Sequence, residues 1–230
     1  NTVHLVREYV PGRTLYRRLE EGALPEQRIV EVAQTLAGAL DSLHRLGLVH
    51  REVRSANVLI TPDGDLRLAD WILPPTAKTY LASAAPEQAG ALNRPIDGRA
   101  DLYGLGALLH QCAVGLLTPP SSPPRADAPR DDLQRVSPGL AAMIRKLLAQ
   151  RPEDRYQTAA GVLKDLELLP LLNGLLQAGR GVALGTGDQV TPTLPETPLV
   201  GRHAELQRLT ACWDACLLYT SDAADDLTRV

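Results

Sequence analysis

Between Pro25 and Gly47, apolar side chains recur every three or four positions, at Ile29, Val32, Leu36, Leu40 and Leu43. That spacing predicts a helix packed on one face, opened by proline and closed by glycine. Ahead of it, the run Val3 to Val10 is rich in β-branched and apolar residues and stops at Pro11-Gly12, which predicts a short strand, a turn and a helix from about Thr14. Asn57 to Thr61 and Leu66 to Ala69 flank Pro62-Asp63-Gly64-Asp65, the pattern of a small hairpin. From Asp101 to Val114 the apolar residues spread over more than one face, so that helix belongs inside a core. The proline-rich run Thr118 to Arg130 cannot be helical. Ser137-Pro138 begins a helix ending near Gln150, another spans about Thr158 to Leu168, and residues 170–197 read as a linker with little more than a helical turn or two.

Composition narrows the class without naming a partner. The 230 residues are 44% hydrophobic and 22% charged, ordinary usage for a water-soluble globular chain. A formal charge of -3 gives no reason to expect nucleic acid or a membrane surface. Cys112, Cys212 and Cys216 form no C-x-x-C pair, which argues against a disulfide framework or zinc knuckle and for a reducing compartment. The longest apolar stretch, Leu102 to Leu117, is interrupted by His110 and Gln111 and is too short to span a bilayer. The chain opens on Asn1 with no leader pattern, so the expectation is a truncated piece of a cytoplasmic protein.

The chemistry lies in the order of polar residues. After the helix ending at Gly47 come His50-Arg51-Glu52 and, after Val53 to Ala56, Asn57. The hairpin and Asp70 follow, then Ala85-Pro86-Glu87, Asp101-Leu102-Tyr103-Gly104, and Pro152-Glu153-Asp154-Arg155. Singly, His50 is a core histidine, Asn57 a turn residue and Asp70 a strand-end cap. In this order they resemble the large lobe of eukaryotic-type protein kinases, over Val3 to about Leu168. The implied fold is mainly α (α+β): a kinase-like large lobe with a hinge strand and a small hairpin, the small lobe largely missing.

The wider wording around Ala85 to Arg94 and Leu147 to Tyr156 resembles bacterial serine/threonine kinases fused to a STAND/AAA-like ATPase and sensor modules. Pro198 to Leu206 resembles the opening of that ATPase, without a phosphate loop after it. The implied organisation is a kinase domain over 1–169, a linker over 170–197, the start of a truncated ATPase over 198–215 and a tail over 216–230. The tail is set aside because Cys216 to Asp225 resembles translated sequencing-adaptor read-through.

The resemblance implies ATP and Mg²⁺ as cofactors, and as partner either a protein substrate or the adjoining ATPase in cis. Glu52 stands where the family's catalytic Asp stands, Arg54 matches the basic residue that neutralises the transferred phosphate, and Asn57 and Asp70 match the metal ligands. Leu59 would floor the adenine pocket, and Glu8 and Val10 would offer hinge groups to its edge. Glu87 and Arg155 match a buried ion pair, and Asp101 an anchor for the catalytic loop.

Four departures divide the functional reading. Glu52 is one methylene longer than Asp, and Asp70-Trp71-Ile72 lacks the glycine of the usual triplet. Arg7 falls at an apolar gatekeeper position, and the stretch from Asp70 to Glu87 is short. Three readings follow: an ATP-dependent serine/threonine kinase, a pseudokinase module regulating its neighbouring ATPase, and a plain helical interaction domain.

Overall fold

The computed structural model describes residues 9–69, 84–90, 92, 94–115 and 131–188, all within one compact unit. Its elements follow from local chemistry. Strand β1 (Arg13–Thr14) runs into α1 (Leu15–Leu19), with the Thr14 hydroxyl accepting the Arg17 N–H as cap. Helix α2 (Glu26–Arg45) buries the predicted stripe of Ile29, Val32, Leu36 and Leu40. It ends where Gly47 takes φ 72°, a left-handed conformation open to glycine.

Strands β2 (Val58–Ile60) and β3 (Leu66–Leu68) form the expected hairpin, and β1 adds to its edge. All pairing is antiparallel, with Thr14 opposite Leu59 and Leu59 opposite Arg67. The third strand was not legible in advance because two residues carry no periodicity; it exists because Gly12 lets its backbone meet Ile60. A Cβ at Gly12 would sit 2.2 Å from the Ile60 carbonyl oxygen.

Helix α3 (Gly98–Val114) is the central element, buried at every residue from Ala100 to His110. It starts three residues before the predicted Asp101 because the Asp97 carboxylate caps it, accepting the Arg99 N–H at 2.9 Å. Helix α4 (Pro138–Leu147) packs on α3 and is shorter than predicted, while α5 (Ala159–Glu167), capped by Thr158, packs on α2. Helix α6 (Leu169–Gln177) lies against α4.

The stretch read as a linker from residue 170 is therefore structured as far as Asp188. Leu169 and Leu172 are buried, and the Asp188 carboxylate accepts the Gln157 N–H and the Thr158 hydroxyl at the start of α5. Composition favoured a linker because the glycines of this segment carry no periodic stripe; the long-range contacts of Asp188 hold it instead. The remainder of the expected linker, the expected ATPase start and tail, the proline-rich run Thr118 to Arg130 and the predicted strand before Tyr9 lie outside the described residues. Among the described residues no helix is long and apolar enough to cross a membrane.

Two helical glycines predict opposite responses to alanine. At Gly106 a Cβ would stand 2.6 Å from the Leu147 Cβ, an atom fixed to the α4 backbone. Overpacking of about 1–3 kcal/mol should outweigh the gain in helix propensity of about 1 kcal/mol, so Gly106→Ala should lower the melting temperature. At Gly38, with nothing within 4 Å of the new Cβ, alanine should raise stability by about 0.5–1 kcal/mol. Calorimetry showing both substitutions stabilising would contradict the α3–α4 packing described.

Candidate active site

The site is built around the loop that leaves α2. Beyond Gly47 the chain runs irregularly through His50 to Val53, bends at Arg54, tightens into a 3₁₀ turn at Ser55–Asn57 and enters β2. Its anchor is Asp101, in the first turn of α3 and 1% exposed. One carboxylate oxygen accepts the Arg51 N–H at 2.6 Å; the other accepts the His50 N–H at 2.8 Å and lies 2.8 Å from His44 Nε2. Arg51 is held at φ 69°, a left-handed conformation that costs a non-glycine residue about 1–2 kcal/mol. Two charge-assisted backbone bonds are enough to offset that strain. One turn on, Gly104 lets the loop lie against α3, since a Cβ there would meet the Val53 carbonyl oxygen at 2.8 Å.

On this mount Glu52, Arg54 and Asn57 come together. The Asn57 Nδ2 donates to the Glu52 carbonyl oxygen at 2.9 Å, which turns Asn57 Oδ1 the other way. Arg54 Nε lies 3.3 Å from a Glu52 carboxylate oxygen and 3.4 Å from Asn57 Oδ1, so one guanidinium bridges both groups. The Glu52 side chain is only 10% exposed. The Ala69 N–H donates to the Asn57 carbonyl at 2.8 Å, tying the end of the hairpin to the turn. Ser55 is fixed from α3 by a hydroxyl bond to Gln111 at 3.0 Å.

Of the other residues singled out, Leu59 is half-buried on β2, paired with Thr14. Val10 is half-buried just ahead of β1, so pairing with β1 brings the stretch after it alongside β2. Glu8 and Asp70, and with them Arg7, Trp71 and Ile72, lie outside the described residues. Glu87 and Arg155 form the expected buried pair, joined by two bonds of 2.6 and 2.9 Å. Arg155 also donates to the carbonyls of Ala149, Gln150 and Arg99 and stacks over Tyr103.

Two participants escaped the sequence reading. His44, near the end of α2 and outside every motif, is a partner of the Asp101 carboxylate. Gln88 follows the Ala85-Pro86-Glu87 motif with no separate signal, yet its Nε2 donates to the Arg51 carbonyl at 2.9 Å. His50 itself accepts the Glu52 N–H at Nδ1 and packs inside the loop. Burial lowers its pKa from 6.5, outweighing the opposite pull of Asp101, the Ala69 backbone and Glu52.

The oxygen donors of Glu52 and Asn57 have the hard-ligand chemistry that suits Mg²⁺, and Arg54 offers a cation for a phosphate. Among the described residues no cluster of three or more His, Cys, Asp or Glu side chains could hold a metal by itself.

Comparison with known proteins gives the arrangement a context. The protein kinase domain family matches residues 1–165. A probable serine/threonine-protein kinase of Clostridium acetobutylicum is 30% identical over 188 residues, covering 72% of this chain and 28% of that protein. Serine/threonine-protein kinase PknB of Mycobacterium leprae is 32% identical over 188 residues, covering 71% and 30% respectively. A crystal structure of a double mutant of the PknI kinase domain from Mycobacterium tuberculosis aligns with a TM-score of 0.53 at 28% identity, over 73% of this chain and 65% of that one. The chain thus spans less than a third of the length of these two curated relatives.

The lowered pKa of His50 makes stability pH-dependent with a definite sign. Below pH 6.5 the unfolded chain takes up a proton on His50 that the folded chain does not bind until more acid conditions. Stability should therefore fall as pH drops from 6.5 towards the lowered folded value. Urea unfolding between about pH 7.5 and pH 5.5 should show a shallower slope for His50→Gln than for wild type, and equal slopes would remove His50 as the source.

Proposed function

The chain belongs to the protein kinase domain family, and from that premise we propose that it is the large lobe of an ATP-dependent serine/threonine kinase within a longer, multidomain bacterial signalling protein. The observation that carries the reading is the convergence of Glu52, Arg54 and Asn57 on one loop mounted by Asp101. In this reading the Glu52 carboxylate orients the acceptor hydroxyl and receives its proton, while the Arg54 guanidinium neutralises charge on the phosphate in transit. Asn57 Oδ1, with Asp70, would ligate Mg²⁺, which when bound draws charge from the phosphate oxygens. Leu59, with Glu8 and Val10 at the hinge, would line the adenine pocket. Work in the cytoplasm suits a domain that needs ATP and whose Cys112 is buried and unpaired.

A second reading has its own support. Arg54 already bridges Glu52 and Asn57, occupying the oxygens that catalysis would use, and Glu52 reaches further than an aspartate would. A displacement of roughly an ångström can lower a rate about a hundredfold. These features suit a pseudokinase that binds a partner or nucleotide and controls an ATPase in cis, beginning near the Pro198 to Leu206 motif.

Phosphate transfer from ATP by the longer parent protein separates the two. The kinase reading expects turnover that Asp70→Ala abolishes; equal signals from both proteins would end the case for an enzyme. The regulator reading expects wild type to be silent and Glu52→Asp to raise turnover by up to about a hundredfold.

A further inference from the structure

Gln88 sits in the turn after Pro86, where three contacts fix it. Its backbone N–H donates to the Ala85 carbonyl at 2.8 Å, and its Oε1 accepts the Ala85 N–H at 3.0 Å. With the oxygen committed to that N–H, the amide has one orientation, and Nε2 faces the Arg51 carbonyl at 2.9 Å. A flipped amide would set N–H against N–H at one end and oxygen against oxygen at the other. The turn does not drift, because the preceding residue, Glu87, is clamped by Arg155 through two bonds inside the protein.

The bonded carbonyl is a sensitive one. It belongs to the Arg51–Glu52 peptide, whose N–H donates to His50 Nδ1 at 3.3 Å and leads into the Glu52 side chain. On the other flank of Arg51, the Asp101 carboxylate holds the His50–Arg51 peptide through the Arg51 N–H at 2.6 Å. The left-handed residue is therefore gripped on both sides, by Asp101 before it and Gln88 after it. The second grip acts on the peptide that leads directly into Glu52, together with the bond from its N–H to His50 Nδ1.

We propose that Gln88 is a positioning residue for Glu52, holding the Arg51–Glu52 peptide so that the carboxylate faces the acceptor; its catalytic consequence rests on the kinase reading above. Gln88→Met keeps the side chain's length and removes both amide bonds. Gln88→Glu keeps the bond to Ala85 and sets a carboxylate oxygen against the Arg51 carbonyl, so it tests the same point should the first variant fold poorly.

Hydrogen exchange in the longer parent protein, read on peptides covering residues 50–54, should speed up about tenfold in both variants while α2 stays protected. In an active parent, kcat should fall about tenfold, with KM for ATP within about twofold of wild type. A merely structural role would instead loosen α2 and raise KM together with the loss of kcat. Unchanged exchange at 50–54 overturns the inference whether or not the protein is an enzyme, and faster exchange with unchanged kcat overturns the link to Glu52. A wild-type protein without turnover refutes the kinase reading alone, and the exchange result then decides whether Gln88 holds the peptide.

Discussion

One buried carboxylate organises the loop on which every proposed function depends. Asp101 lies in the first turn of α3, where the helix's free N–H groups favour negative charge. Its two oxygens meet the N–H groups of His50 and Arg51 and the ring of His44. A charge so deeply buried would be untenable without those partners, and the loop could not hold its left-handed residue without the charge. Each side of the contact makes the other possible, and it joins the end of α2, the loop and the central helix at one point.

The Glu87–Arg155 pair plays a complementary part on the other side of the same loop. Taking both ions out of water opposes much of their attraction, so the pair by itself says little about net stability. Its effect is positional. Arg155 spends its remaining donors on three backbone carbonyls, and that geometry pins the turn at residues 85–90 to α3 and to the chain leaving α4. Gln88 then carries this rigidity from the turn to the Arg51 carbonyl.

Arg54 is the residue on which the two proposed readings part. A guanidinium is a permanent cation with several donors in a plane, so it can engage Glu52 and Asn57 together where a single ammonium would meet them as a point charge. In the proposed kinase reading, this bridge would have to loosen before Asn57 Oδ1 turned to a metal or Glu52 to a hydroxyl. The active and the regulatory readings differ in how readily that happens.

Local pattern determined a good deal of this protein. The stripe from Ile29 to Leu40, the turn at Asp63-Gly64 and the all-round apolar face of α3 announce their elements because periodicity reports which sides face water. The order of motifs from His50 to Arg155 likewise announces the large lobe, since the motifs keep their order along the chain even where single residues, Glu52 among them, depart from the family's type. Tertiary structure alone decided the bond from Gln88 to Arg51, 37 residues apart, and which N–H groups the expected anchor Asp101 meets. It also decided the role of His44, the edge strand β1 and the docking of Asp188 on α5. Those contacts join groups with no shared periodicity, and a hydrogen bond depends on where two atoms meet in space, which spacing along a chain does not encode until the core has closed around them.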